Sequence, residues 1–380
     1  MKQKRKFIPL LLILMSLAHA VTGQVRLLPD SIFSGPQSPF HVQGIAIDQA
    51  NGFMYFSFTD RLVKTDLTGK TIGSVSGFIG HLGDIDLSDD GKIYGSLEYK
   101  NDAIGKGISK KLGLTATGQD AFYVAIFDAA KITKPEMDAE KEDVLRTVFI
   151  KEATDDYKAI VLADGKKVAH RFGCSGIDGL TLAPSIGSGP SDKKYLYLAY
   201  GVYGDTTRSD NDHQVILKYD VSDWEGYSKH LSQTELHESG PRKPMEKYFV
   251  KTGNTRYGVQ NLAYDPHTGN LFAAVYKGAK SKYPNYDLFV IDGKKKPIST
   301  AFNSDNKSIK VKTLALADSG TKESGDNGWR FSWGATGICP IGDGLFYISQ
   351  PSKTKDGLEQ TMLFKYRWLG DAEKAFEMVK

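Results

Sequence analysis

Apolar and polar positions alternate with a period of two along most of the chain, in short runs separated by Gly, Asn and Asp turns. That period puts successive side chains on opposite faces of a strand, so each run reads as a half-buried β-strand. Helical periodicity is confined to "SDWEGYSKHLSQTELHES" (222–239) and the tail "GDAEKAFEMVK", both readable as short helices. Five segments share one grammar: a turn, a polar residue, a short apolar strand, a Gly or Asn turn, then an aromatic strand. They are "HVQGIAIDQANGFMYFSF" (41–58), "HLGDIDLSDDGKIYGSLE" (81–98), "SGIDGLTLAP…DKKYLYLAY" (175–200), "YGVQNLAYDPHTGNLFAAVY" (257–276) and "WGATGICPIGDGLFYISQ" (333–350). A third strand follows each: "RLVKTDL", "AFYVAIFD", "HQVILKYD", "YDLFVID" and "TMLFKYRW". A fourth, outer strand follows in four copies: "TIGSVSG", "VLRTVFIK", "MEKYFVK" and "IKVKTLAL".

The fifth copy lacks its fourth strand, and a spare strand, "VRLLPDSIF" (25–33), precedes the first copy. Four-stranded units with one unit split between the two ends predict an all-β, five-bladed β-propeller closed by pairing its N- and C-terminal strands, which protects its sheet edges. The hairpin "KAIVLADGKKVAHRF" (158–172) leaves a six-bladed alternative. It lacks the inner-strand grammar and is read as an insertion. The propeller is expected over 25–370, followed by a tail over 371–380.

The first residues, "MKQKRKFIPLLLILMSLAHA", have a basic head, an apolar run and a small-residue ending, the pattern of a signal peptide over 1–20 with cleavage up to 24. Its apolar run is too short to span a bilayer. The formal charge of +4 comes from Lys2, Lys4, Arg5 and Lys6, so the remainder is near neutral and nothing global points to nucleic acid. A secreted or periplasmic monomer with no membrane span is expected. Cys174 and Cys339 fall on non-adjacent blades and are expected as free thiols, since a disulfide needs Cα atoms within about 7 Å.

In a propeller, the connection into each inner strand and the loop between strands two and three share one face, called the top. Long inserts at 99–120, 201–212, 277–285 and 351–360 elaborate it, and loop elaboration on a rigid scaffold is where function collects. Aligning the inner strands on their first apolar residue brings Gln43-Gly44, Gly83-Asp84, Asp178-Gly179, Gln260-Asn261 and Thr336-Gly337 into register. Polar residues there suggest a water-filled tunnel. Asp84 and Asp178, with amide oxygens nearby, would suit Ca²⁺; ordered water is the alternative. Asp86 is expected to be structural, bonding backbone or a hydroxyl. His41 and His81 occupy one repeat position on neighbouring blades and, with Glu98, are candidate acid–base groups. Arg256, Tyr257, Arg330 and Trp333 bring cation and aromatic surface to the mouth, and Tyr200, Lys277 and Gln350 end second strands at its level. With Gln43, Gln260, Asn261 and Thr336 they make a candidate wall for a sugar, nucleotide or other small polar ligand.

The "G-I-x-I … G-x-I/L-Y" grammar resembles the superfamily of secreted propellers that includes SMP-30-type lactonases, strictosidine-synthase-like proteins and NHL-type binding propellers. Where SMP-30-type enzymes place a metal-binding glutamate, this chain has Gln43. "GDIDLSDDGKIY" is similar to calcium-activated nucleotidases, and that resemblance implies a tunnel Ca²⁺ near Asp84. The resulting expectation is an exported propeller that binds a small polar or carbohydrate-like ligand at its top mouth, with a central Ca²⁺. A metal-dependent hydrolase of the lactonase, phosphoester or nucleotide class is the alternative. A protein–protein platform built on the long loops is the third reading.

Overall fold

The structure, a computed structural model, describes residues 27–115, 117–188, 193–305 and 307–379. The leader and the first two residues of the expected closing strand lie outside them. Five sheets stand in a ring, a five-bladed β-propeller whose inner strands touch in turn, the last meeting the first. The inner strands are Val42–Asp48, His81–Leu87, Cys174–Ala183, Thr255–Asp265 and Ile338–Gly342. One apolar cluster fills each of the five blade-to-blade interfaces, from Tyr55, Leu82 and Tyr123 between blades one and two to Ile45, Phe56 and Tyr347 between five and one. Each buried aromatic or aliphatic side chain there contributes about 1.5–3 kcal/mol.

Closure is as expected, with an addition. Ser31–Phe33 pairs with Glu359–Trp368 as the outer strand of blade five. The tail, read as a helix, instead forms the strand Phe376–Met378 on the same edge of the same partner. Phe376 is buried against Phe272, Phe346 and Trp368, and that apolar anchor draws the tail into the sheet. The 158–172 segment is a two-stranded hairpin and not a blade. The stretch 222–239 contains only a turn of 3₁₀-helix at Trp224–Gly226 and a strand at Lys229–His230.

Blade four departs from the pattern. The expected fourth strand (309–316) joins a different edge: Lys307–Thr313 pairs in parallel with Glu246–Lys251 of blade three. Leu316 and Trp329 make single bridges to the edge of blade four instead. The same reach-back occurs twice more. Met137–Asp138, from the second blade, pairs on blade one, and Lys229–His230, from the third, pairs on blade two. Each reach-back covers an outer edge that would otherwise present unpaired backbone.

Among the described residues, two α-helices stand outside the sheets. Helix α1, Ala103–Leu112, lies in the long top insert of blade two, and helix α2, Lys151–Lys158, precedes the hairpin. Asp102 caps α1 by accepting from Gly105 N, and Gly113 ends it in the left-handed conformation. Among the described residues no helix is long and apolar enough to cross a membrane.

Candidate functional site

The pairing of inner with second strands breaks register between Val42 and Gly44, Leu82 and Ile85, Ile177 and Leu180, and Val259 and Asn261. These are β-bulges, which re-aim side chains that strict alternation would send elsewhere. They create two stacked rings at the axis. The upper holds Gln43, Gly83, Asp178, Gln260 and Thr336; the lower holds Gly44, Asp84, Gly179, Asn261 and Gly337.

The lower ring closes the axis. Asp84 accepts from Ile85 N at 2.9 Å, Leu180 N at 3.0 Å and Leu262 N at 2.9 Å, joining blades two, three and four. Asn261 donates to Gln43 O at 2.6 Å and Ala335 O at 3.2 Å and accepts from Ile338 N at 3.3 Å, joining blade four to blades one and five. Two side chains suffice because the other three positions are glycines. A Cβ on Gly44 would stand 2.7 Å from Asp84 Oδ1 and 2.8 Å from its Cα. The expected water-filled tunnel is therefore corrected: Asp84 and Asn261 are buried and bonded to the backbone of neighbouring blades across the axis. Burial, the larger influence, lifts the Asp84 carboxyl well above the ordinary range, against the three amides that favour its anion. Asp86 bonds Thr181 Oγ1, Leu182 N and Leu87 N, the structural role expected of it.

The upper ring floors a top-face cavity of about 270 Å³. Its polar lining includes His41, Gln43, His81, Glu98, Asp178 and Gln260, all picked out in the sequence, and its rim includes Tyr257. Thr59, Lys100, Ser175 and Tyr276 also line it, and Ile104 and Ile108 of α1 roof it beside Phe40. Sequence reasoning missed these. Lys100 sits at the start of the 99–120 insert, one residue past a strand end, and only its place beside Glu98 could have flagged it.

Glu98 is fully engaged. Oε1 accepts from Ile177 N at 2.7 Å, and Oε2 meets Lys100 Nζ at 2.7 Å and His81 Nδ1 at 3.2 Å. Burial opposes the Lys100 charge, but Glu98 and Asp102 outweigh it and hold the pKa above the ordinary lysine value. Glu98 thereby fixes the His81 ring through Nδ1 and leaves Nε2 for the cavity. Gln43 Nε2 donates to Thr59 Oγ1 at 2.9 Å and meets His41 Nε2 at 3.3 Å. With the amide nitrogen donating, His41 Nε2 accepts, which favours the neutral imidazole. Burial, then the proximity of His81, lowers its pKa in the same sense.

Asp178 differs from its neighbours. Oδ2 accepts from Gln260 Nε2 at 2.8 Å, but the buried Oδ1 has no partner among the described residues. Ser96 Oγ, also buried, has none either. Both oxygens crowd the space beside Gly83, where a Cβ would collide with Ser96 Oγ and stand 2.5 Å from Asp178 Oδ1. Burial raises the Asp178 pKa to about 7, with His81 and Lys100 opposing and Glu98 assisting. Tyr276 is pushed up to about 12 by burial and then by the charge of Asp178. Tyr257, on the rim, holds φ at +68°, a left-handed conformation that is costly for an aromatic residue.

Other expected wall residues lie elsewhere. Tyr200 is fully buried, its hydroxyl on Asp156 Oδ2 at 2.9 Å. Asn261 belongs to the lower ring, Thr336 bonds Ser349 Oγ at 3.4 Å, and Gln350 bonds the Tyr366 hydroxyl at 2.7 Å. Arg330 is paired with Glu323 at 2.8 Å, and Trp333 is partly exposed outside the cavity lining. Arg256 and Lys277 line a separate groove.

The expected Ca²⁺ pair is not brought together. Asp84 points both oxygens at backbone amides below the floor, and only Asp178 belongs to the cavity. Among the described residues no group of three or more His, Cys, Asp or Glu side chains is arranged to hold a metal ion. The donor set does not fit the cation expected there. Cys174 and Cys339 are free thiols.

No family model and no curated protein matches this chain. Solved structures align with it at low similarity. A glucose dehydrogenase is 12% identical, covering 88% of this chain and 99% of its own, with a TM-score of 0.37. An exo-1,5-α-L-arabinanase from a bovine ruminal metagenomic library is 12% identical over 91% of this chain and 98% of its own, at 0.40. The calcium-binding protein regucalcin from Agrobacterium tumefaciens is 12% identical over 90% and 97%, at 0.32.

Proposed function

We propose that this chain is an exported propeller that binds a small polar molecule, hydroxyl-rich and of the carbohydrate or lactone kind, in its top-face cavity. The observation that carries the reading is Asp178, a residue of the cavity lining whose buried Oδ1 has no protein partner among the described residues. A buried polar atom left bare costs about 1–3 kcal/mol, which a ligand hydroxyl relieves. The cavity, about 270 Å³, lies at the small end of ligand sites, so its occupant is compact. Lys100 offsets Glu98 and burial favours neutral His41, so these groups leave little net charge in the deep cavity. Phe40, Tyr257 and Tyr276 offer rings to its apolar faces. The basic and apolar leader supports export.

The test is thermal melting with a panel of monosaccharides and lactones, on the wild type and on Asp178→Leu. A true ligand at a hundredfold excess over its Kd stabilises the wild type by about 2.7 kcal/mol, and Asp178→Leu loses that gain. A gain of equal size in Asp178→Leu, or no gain with any compound, sinks the reading.

One observation favours hydrolysis as a second reading. His81 is oriented by Glu98, and Asp178 has a pKa of about 7, where proton transfer at neutral pH is most effective. In that case His81 Nε2 takes a proton from attacking water while Asp178 gives one to the leaving oxygen. Hydrolysis of chromogenic esters and glycosides would then fall above about pH 7. A profile unchanged in Asp178→Asn would remove the residue from the chemistry.

A further inference from the structure

Beside the floored cavity, on the top face of blade four, lies a second groove of about 440 Å³. The two share a wall made of Tyr257 and Tyr276. On its far side stand Arg256 and Lys277, one register position apart at the ends of adjacent strands (Arg256 opposite Tyr276, and Lys277 opposite Thr255). Neither cationic head has a hydrogen bond or ion pair among the described residues, a state Arg256 shares with Arg242 and Arg367, whereas Arg61, Arg146, Arg171, Arg208 and Arg330 are each paired with a carboxylate. The one carboxyl in the groove, Asp287, is half-buried. Burial raises its pKa while Lys277 and Arg330 pull it down, and it leaves the groove with a surplus of positive charge.

The shared wall is the second observation. Tyr257 is held at a φ of +68° and is followed by Gly258 at +78°. Such a conformation costs a residue with a side chain about 1–2 kcal/mol, and glycine would hold it freely. The bulge between Arg256 and Val259 imposes it. The tyrosine ring is thereby kept between the two cavities, partly exposed, with Gln260 bonded to the Tyr257 carbonyl at 2.9 Å. Strained residues of this kind collect where a ligand is clamped.

We propose that the ligand is an anionic small molecule that spans both cavities: its polar, uncharged body rests on the Asp178 floor, and its carboxylate or phosphate lies over the shared tyrosines against Arg256 and Lys277. This inference rests on the binding reading above and narrows its ligand to sugar acids, sugar phosphates and compounds of similar build. Guanidinium and ammonium groups bind such oxyanions through charge-assisted hydrogen bonds. The exposure of both cations makes their attraction sensitive to salt.

The experiment is calorimetric titration at low salt with matched compounds: glucose, glucuronate and glucose 6-phosphate, and benzyl alcohol with phenyl phosphate. Methyl NMR of Ile104 and Ile108, which roof the deep cavity, is recorded alongside. The charged member of at least one set is expected to bind about tenfold tighter than its neutral partner, the scale of one or two partly exposed charge-assisted bonds. Glucuronate against glucose 6-phosphate separates carboxylate from phosphate. In Arg256→Gln/Lys277→Gln the advantage disappears while the neutral compounds shift the Ile104 and Ile108 methyls as before. Equal affinity for charged and neutral members, or an advantage that survives in the double variant, overturns the proposal and leaves the binding reading standing. If no compound shifts the methyls, both fall together.

Discussion

Asp84 and Asp178 are two buried aspartates from neighbouring blades, both at bulges in the inner strands, and they meet opposite fates. Three backbone amides from three blades converge on Asp84. One side-chain amide reaches Asp178, and its second oxygen is left bare. The chemistry of the residue is the same, so the supply of donors alone makes one carboxylate a fastener and the other an open site. A buried acid supplied with enough donors is part of the scaffold. An undersupplied one carries a cost in the empty protein that a ligand can lift.

The comparison breaks if the two acids respond alike to truncation. Asp84→Ala strands three amides and is expected to cost about 3–5 kcal/mol, read from urea denaturation. Asp178→Ala should cost far less. Equal losses would mean that Asp178 is also a fastener.

The next effect depends on pH. The Asp178 pKa rises from an ordinary 3.8 to about 7 on folding. Between those values the folded chain keeps a proton that the unfolded chain has lost, so stability falls as pH rises through this window, and it levels off above it. At about 1.4 kcal/mol per pH unit, Asp178→Asn should be the more stable protein at pH 8, by about 2 kcal/mol after allowing for its own imperfect hydrogen bonds. Its advantage should shrink towards zero near pH 4. An advantage that grows on acidification would reverse the assignment.

Two glycines sharpen the contrast further. Gly44 abuts Asp84 and Gly83 abuts Asp178, so alanine at either should cost about 1–3 kcal/mol through overpacking. Only the Gly83→Ala penalty should be relieved in part by Asp178→Gly in a double-mutant cycle, because only that acid is free to be removed, while Ser96 Oγ still crowds the new Cβ. The smallest effect concerns the rim. Tyr257→Gly should raise stability by about 0.5–1 kcal/mol, the left-handed strain less the chain entropy of glycine, and a loss would show that the ring packs against something more valuable.

Much of this was legible in the chain. The repeat grammar yields the blade number, the closing strand and the register that stacks the two rings, and doubled histidines at one repeat position mark the cavity wall. What could not be read was direction. Alternation predicts which face a residue takes only while the pairing is regular, and four of the five inner strands carry an extra residue at the axis. Asp84 and Asp178 therefore looked like partners across a tunnel, when one points at backbone below and the other forms the floor above. The strand "KSIKVKT" was equally plain as a strand, but its own pattern holds no information about which sheet edge it will join. Helix α1 was obscured by Gly105 and Gly107, which dilute its helical propensity, although Asp102 and Gly113 mark both its ends.

The reach-back segments give the ring an order in time as well as in space. The outer edges of the first three blades are covered by chain that belongs to the blade after, and that of the fifth by the two terminal strands together. A chain that stops after blade one, two or three therefore ends on an uncovered edge. It waits for residues not yet made, and it presents the surface on which strands of other molecules add. No such prefix of this protein is a smaller finished propeller, so a fragment cut at one of these blade boundaries should self-associate where the whole ring stays dispersed.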